Sequence, residues 1–167
     1  LDNFGSLVCF EFSKYSTCFQ VINQIAAADD ITVFEISPTP SGGILVLTAK
    51  HKNTALENIF QRQRDSLSSM ILNCCYIEKL HTDLLTAYLS QNKPSNIPNL
   101  YFFETDSLAD ALSRAQSALN ENANIIDFRV IRSTHNRCIL VFSGDNLGEK
   151  FIQITQPTAL TLGYFQP

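Results

Sequence analysis

ITVFEISPTPSGGILVL, residues 31–47, lies without a gap over IIDFRVIRSTHNRCILV, residues 125–141. Each stretch is a β-branched and aromatic run, a polar or Pro/Gly corner, and a second apolar run, the pattern of two strands joined by a turn. The first corner holds Pro38, Pro40, Ser41, Gly42 and Gly43; the second holds Ser133, Thr134, His135, Asn136 and Arg137. An insertion-free match over strand, corner and strand marks a tandem duplication. The first corner is also richer than a hairpin needs, since two residues close one. It reads either as a long, stiff, solvated loop or as a loop whose exposed backbone has a use.

The flanks extend the repeat. Before the first corner come GSLVCFEF (5–12), a strand, and KYSTCFQVINQIAAADD (14–30), a helix with Cys18, Val21, Ile22 and Ile25 on one face and Ser13 or Ser16 as its cap. A second helix is expected from about Asn53. In the other copy, LYFFET (100–105) is a strand and DSLADALSRAQSALNEN (106–122) a helix with Leu108, Ala111, Leu112, Ala115 and Leu119 on one face; NLGEKFIQI (146–154) completes the order as its second helix. Leu7–Glu11 align with Leu100–Glu104, both ending in an aromatic and then Glu. Between the copies, SSMILNCCYIEKLHTDLLTAYL (68–89) is ambiguous. Its apolar spacing suits one long helix, yet MILNCCYI is an unbroken run of weak helix formers. The order strand, helix, strand, strand, helix, given twice, predicts an α+β fold with antiparallel or mixed sheets and helices packed on one face.

Composition narrows the function classes. A net charge of -4 and a pI near 5.3 argue against nucleic acid and anionic membranes, which need a basic face. No apolar run approaches the ~20 residues of a membrane span, and no basic-then-apolar signal opens the chain. Its start at Leu1 rather than Met suggests that an upstream piece was removed or left out. Charged residues are 17%, below the ~25% of an average chain, which suits a surface partly covered by other subunits. Cys9, Cys18, Cys74, Cys75 and Cys138 form an odd set without C-x-x-C spacing. Such a set fits buried thiols in a reducing cytoplasm rather than disulfides or a metal site.

With these residues in place, the chain resembles the bacterial microcompartment shell domain. Glu104-Thr105, the alanine-rich helix, Ile125-Ile126 and Gly144-Asp145 stand where that family has a strand ending in Glu-Thr, a helix, a V-x-L strand and a Gly-Asp before its last helix. Ser41-Gly42-Gly43 stand at its pore turn, and Leu80-His81 at its Pro-His helix start. The resemblance implies two tandem βαββαβ domains, ferredoxin-like-related, over 1–93 and 94–167. It also implies a strand near 69–77, a helix after His81, and a second closing strand from ALTLGYFQP (159–167), with no terminal helix. It further implies a homotrimer of pseudohexameric outline, a structural role beside other shell subunits in a cytoplasmic microcompartment, and a central pore for small metabolites. That pore would be lined by Pro40, Ser41, Gly42, Gly43, Ser133, Thr134, His135, Asn136 and Arg137. The lysine that knits the family's tiles edge to edge is replaced by Ala27 and Glu121, and the Asp one turn earlier by Asn23 and Ser117, so discrete oligomers are expected.

As a pore rim, Arg137 and His135 would favour anions; as a solvated loop they need no further role. Cys138, next to the corner, could join symmetry mates around an iron–sulfur cluster, though a cysteine at a strand start is usually packing. No cofactor or metal is expected. His51 and His81 lack a visible catalytic set, and no nucleophile elbow, H-E-x-x-H or phosphate loop occurs, so an enzyme is the weakest class. The alternatives are an ACT-like small-molecule-binding regulatory module, whose Asp-x-Pro-Gly start is missing after both first strands, and a standalone interaction module.

Overall fold

A computed structural model describes residues 4–25, 30–50, 54–89, 100–132, 136–144 and 152–154. In chain order the elements are β1 (Ser6–Phe12), α1 (Tyr15–Ile25), β2 (Ile31–Thr39), β3 (Gly42–Ala49), α2 (Thr54–Ser66), β4 (Ile71–Ile77), α3 (Thr82–Tyr88), β5 (Leu100–Thr105), α4 (Leu108–Asn120), β6 (Asn124–Arg132), β7 (Asn136–Ser143) and β8 (Ile152–Ile154). The strands form two four-stranded sheets, β2-β3-β1-β4 and β6-β7-β5-β8, antiparallel at every pairing. The α+β class and the repeated strand order expected from sequence are both present. No helix among the described residues is long and apolar enough to cross a membrane.

The ambiguous stretch resolves into β4 followed by α3. Both faces of β4 are covered from Cys74 to Ile77: Cys75 and Ile77 point into one core cluster, while Cys74 and Tyr76, with Ile71, pack against another; Leu72 is exposed. His81 caps α3, its Nδ1 accepting from the Asp83 N–H at 3.2 Å. The capping reading for α1 is not met by Ser16, which lies inside the helix; the Ser13 hydroxyl instead donates to Met70 Sδ at 3.7 Å.

Two expectations for the second copy change. NLGEKFIQI was expected to be helical, but its last three residues are β8, whose Ile-Gln-Ile alternation suits a strand. β8 therefore takes the closing-strand position beside β5 that ALTLGYFQP was expected to fill; 159–167 lie outside the described residues.

The gapless alignment also slips. Phe10 pairs with Leu45 and Ile36 with Leu45 in the first sheet; Phe103 pairs with Leu140 and Phe128 with Leu140 in the second. With Phe10 equivalent to Phe103, Leu45 matches Leu140 and Ile36 matches Phe128, so Gly43 matches Cys138 and the second hairpin is three residues longer. Runs such as GILVL and CILVF slide by one residue without penalty in sequence; only pairing fixes the register. The same equivalence aligns Asp30 (φ 70°) with Asn122 (φ 62°), the left-handed turn residues that lead into β2 and β6.

Packing builds successive layers. Phe10, Phe12, Leu45 and Leu47 face α1 and α2 through Cys18, Val21, Leu56 and Ile59. The opposite face of the same sheet, with Leu7, Cys9, Ile44, Val46 and Ile77, shares one buried cluster with α3, α4 and the inner face of the second sheet. Alanines at 109, 111, 115 and 118 let α4 fit between two sheets, and all four are buried.

Candidate functional site at the corner end of the two sheets

The first corner is tighter than its composition suggests. Thr39 pairs with Gly42, leaving a two-residue turn of Pro40 and Ser41, both exposed. Pro38 sits in β2 and the glycines in β3. Gly42 has φ +147°, and a Cβ there would meet the Phe12 carbonyl oxygen at 2.0 Å; one on Gly43 would meet Tyr15 Cδ2 at 2.7 Å and Cys18 Sγ at 2.9 Å. These glycines are needed because the β1–α1 junction crosses β3 at close range. Gly43 is buried under that junction. In the second sheet the equivalent residue is Cys138, and Ala111 stands where Cys18 does, so the side-chain volume moves from helix to strand.

In the second corner, Ser133, Thr134 and His135 lie outside the described residues. Asn136 and Arg137 begin β7. Arg137 is not the bare cation expected from sequence: its Nε donates to Glu104 Oε1 at 2.7 Å. Glu104, Thr105, Asp106, Asn136 and Arg137 line a shallow groove of about 400 Å³. Two carboxylates beside one guanidinium give this groove no anion preference. Cys138 is fully buried, and burial, followed by the Glu11 carboxylate, pushes its thiol up to about 12. A protonated packing thiol is the outcome, not one poised to ligate a cluster. Among the described residues no three His, Cys, Asp or Glu side chains gather into a metal site. His51 and Ala27 lie outside the described residues, and Glu121 caps the C-terminus of α4.

Sequence reading missed the contacts that join the copies. Glu11, 5% exposed, accepts from the Ser107 hydroxyl at 2.7 Å and from the Leu108 N–H at 2.9 Å, while Ser107 Oγ accepts from the Asp110 N–H at 3.1 Å. The carboxylate thus sits at the positive end of α4 and adds to its Ser107 cap. Glu11 is near the end of β1, opposite Ile44, and Ser107 follows β5, so this bond places the corner ends of the two sheets at one end of the molecule. Gln116 fastens the other end of α4: its Nε2 donates to the Lys79 carbonyl and its Oε1 accepts from the His81 N–H, both at 2.9 Å. Across the far edge, the Tyr88 hydroxyl and Arg132 Nη2 donate to the two oxygens of Glu35. Burial, then Glu35, raises the Tyr88 hydroxyl above its ordinary range. The repeated aromatic-Glu ending was the one sequence signal for the Glu11 contact, but its partner stands 96 residues away and leaves no local pattern.

No protein-family model and no curated protein matches the chain. Among solved structures it is similar to a microcompartments protein from Desulfitobacterium hafniense DCB, at 17% identity and a TM-score of 0.66, over 84% of this chain and 78% of that one. A candidate glycine cleavage system transcriptional repressor aligns at 7% identity over 86% of this chain and 81% of that one, but its TM-score of 0.32 carries no argument. The chain has the fold of a microcompartment protein.

Proposed function

We propose that the chain is a shell-type subunit of a bacterial microcompartment in the cytoplasm, made of tandem units 1–93 and 94–167. Three chains close a ring of six units around an opening that passes small metabolites, and other shell subunits adjoin it. The observation that carries this reading is the fold likeness to a microcompartment protein across 84% of the chain. The shared corner end, joined by Glu11 and Ser107, supports it. Pro40, Ser41 and Gly42 from one corner and Ser133–Arg137 from the other form the rim, with Gly43 holding the first corner from beneath. The role is structural rather than catalytic: Glu11 caps a helix, Glu35 joins an edge, and Cys138 fills a core.

With Glu121 at one of the family's edge-knitting positions, rings stay discrete. Negative-stain electron microscopy of the purified protein is expected to show separate particles with a six-lobed outline and a central opening. Particles without an opening would remove the pore, and ordered hexagonal layers would remove the discrete ring.

A further inference from the structure

All five cysteines are free thiols, and two of them stand opposite each other on neighbouring strands. Cys9 on β1 is the direct register partner of Cys75 on antiparallel β4. Direct partners in such a ladder have Cα atoms about 4.5 or 5.5 Å apart, and a disulfide spans either separation. Both side chains point to the same side of the sheet, into the cluster shared with α4. The other thiols are placed differently. Cys74 pairs with Phe10 and packs on the opposite side, as does Cys18. Cys138 shares the cluster but belongs to the second sheet, so no ladder sets its spacing from Cys9. The Cys75 thiol reaches the Cys9 backbone and the Ser113 hydroxyl. Ser113 is half-buried and lines two surface grooves between β4 and α4, so Cys75 is one side chain from solvent, whereas Cys9 is fully buried.

We propose that Cys9 and Cys75 are a redox-sensitive pair, reduced in the resting protein and closed to a disulfide by hydrogen peroxide. The pair lies within one chain and does not depend on the ring. The Cys75 thiolate attacks one peroxide oxygen; the O–O bond breaks, and the departing hydroxide takes up the thiol proton as water. The Cys9 sulfur then attacks the sulfenic sulfur, the S–O bond breaks, and a second water leaves with the Cys9 proton. Two thiols lose two electrons in all, and the peroxide is reduced to two waters. Burial keeps both thiols protonated near neutral pH, which slows the reaction and reserves it for sustained oxidant. The bond staples β1, which holds α4 through Glu11, to β4, which packs along α4.

Wild type and Cys74→Ser, held in hydrogen peroxide, then unfolded and alkylated, test this through intact mass, which counts the remaining thiols. Each is expected to lose two alkylatable thiols, from the five of wild type, and to regain them with dithiothreitol. Peptide mapping of Cys74→Ser, which leaves Cys75 without its neighbouring thiol, is expected to show Cys9 joined to Cys75. The oxidised wild type is expected to unfold at a higher urea concentration than the reduced protein. All five thiols alkylatable after prolonged exposure, a loss that dithiothreitol does not reverse, or a link to Cys18 or Cys138 would overturn the pair. A urea midpoint unchanged by oxidation would overturn the staple.

Discussion

Glu11 and Glu104 end equivalent strands after an aromatic residue, yet they meet opposite surroundings. Glu11 is buried and holds the hydroxyl and N–H at the start of α4. Glu104 has 42% of its side chain exposed and pairs with Arg137 beside an open groove. The same contrast separates Leu112, sealed between sheets, from Phe19, half in solvent. Duplicated units that stack in one direction bury the inner helix and leave one face of the outer helix uncovered. The difference between the copies therefore reports what each copy touches, not a difference in fold.

The largest effects come from breaking the covered member of each pair. Leu112→Ala removes a side chain packed from both sides and is expected to destabilise the chain by about 2–5 kcal/mol. Phe19→Ala is expected to change the stability of the single chain by no more than about 0.5 kcal/mol. Urea unfolding of the two variants at a concentration where both are monomeric reads the difference; equal losses would erase the distinction between covered and open helices.

Next in size is the glutamate pair. Glu11→Ala leaves the Ser107 hydroxyl and Leu108 N–H buried without their charged acceptor, an expected loss of about 2–4 kcal/mol. Glu104→Ala removes a surface ion pair worth about 0–1 kcal/mol to the fold. Thermal unfolding of both variants would show one large downward shift and one near zero, and a large shift for Glu104→Ala would mean that it serves the single chain.

This contrast also marks how far the sequence was legible. The strands, first helices and their order are written locally: aromatic and β-branched runs make β1, β2, β5 and β6, and Leu108, Leu112, Ala115 and Leu119 give α4 its apolar stripe. Register across the corners was not legible, because apolar strands match equally well one residue out. The purpose of Gly42 and Gly43 was hidden as well, since it depends on the approach of Phe12, Tyr15 and Cys18 from elsewhere in the fold. Arg137 looked like a free cation until pairing set it beside Glu104.

The last effect is absent at neutral pH and concerns the thiols of the two cores. Burial pushes Cys18 up to about 11, and Cys75 and Cys138 up to about 12, from an ordinary 9.0. Well below pH 9 these thiols are protonated in both folded and unfolded chains. Above it the unfolded chain loses protons that the folded chain retains, so stability falls as pH rises from about 9 towards 11–12. Urea midpoints measured from pH 8 to 10.5 are expected to decline over that range, and a flat profile would mean that the thiols ionise as readily folded as unfolded. Near pH 8 they should react slowly with a thiol reagent in the native protein and fully in denaturant.

The ring reading stands or falls on whether copies of this chain associate. Multi-angle light scattering of the wild-type protein during size-exclusion chromatography measures this directly. Three chains in a closed ring give a mass three times 18.7 kDa that stays constant on moderate dilution, whereas a peak at 18.7 kDa at every concentration would mean that no ring forms.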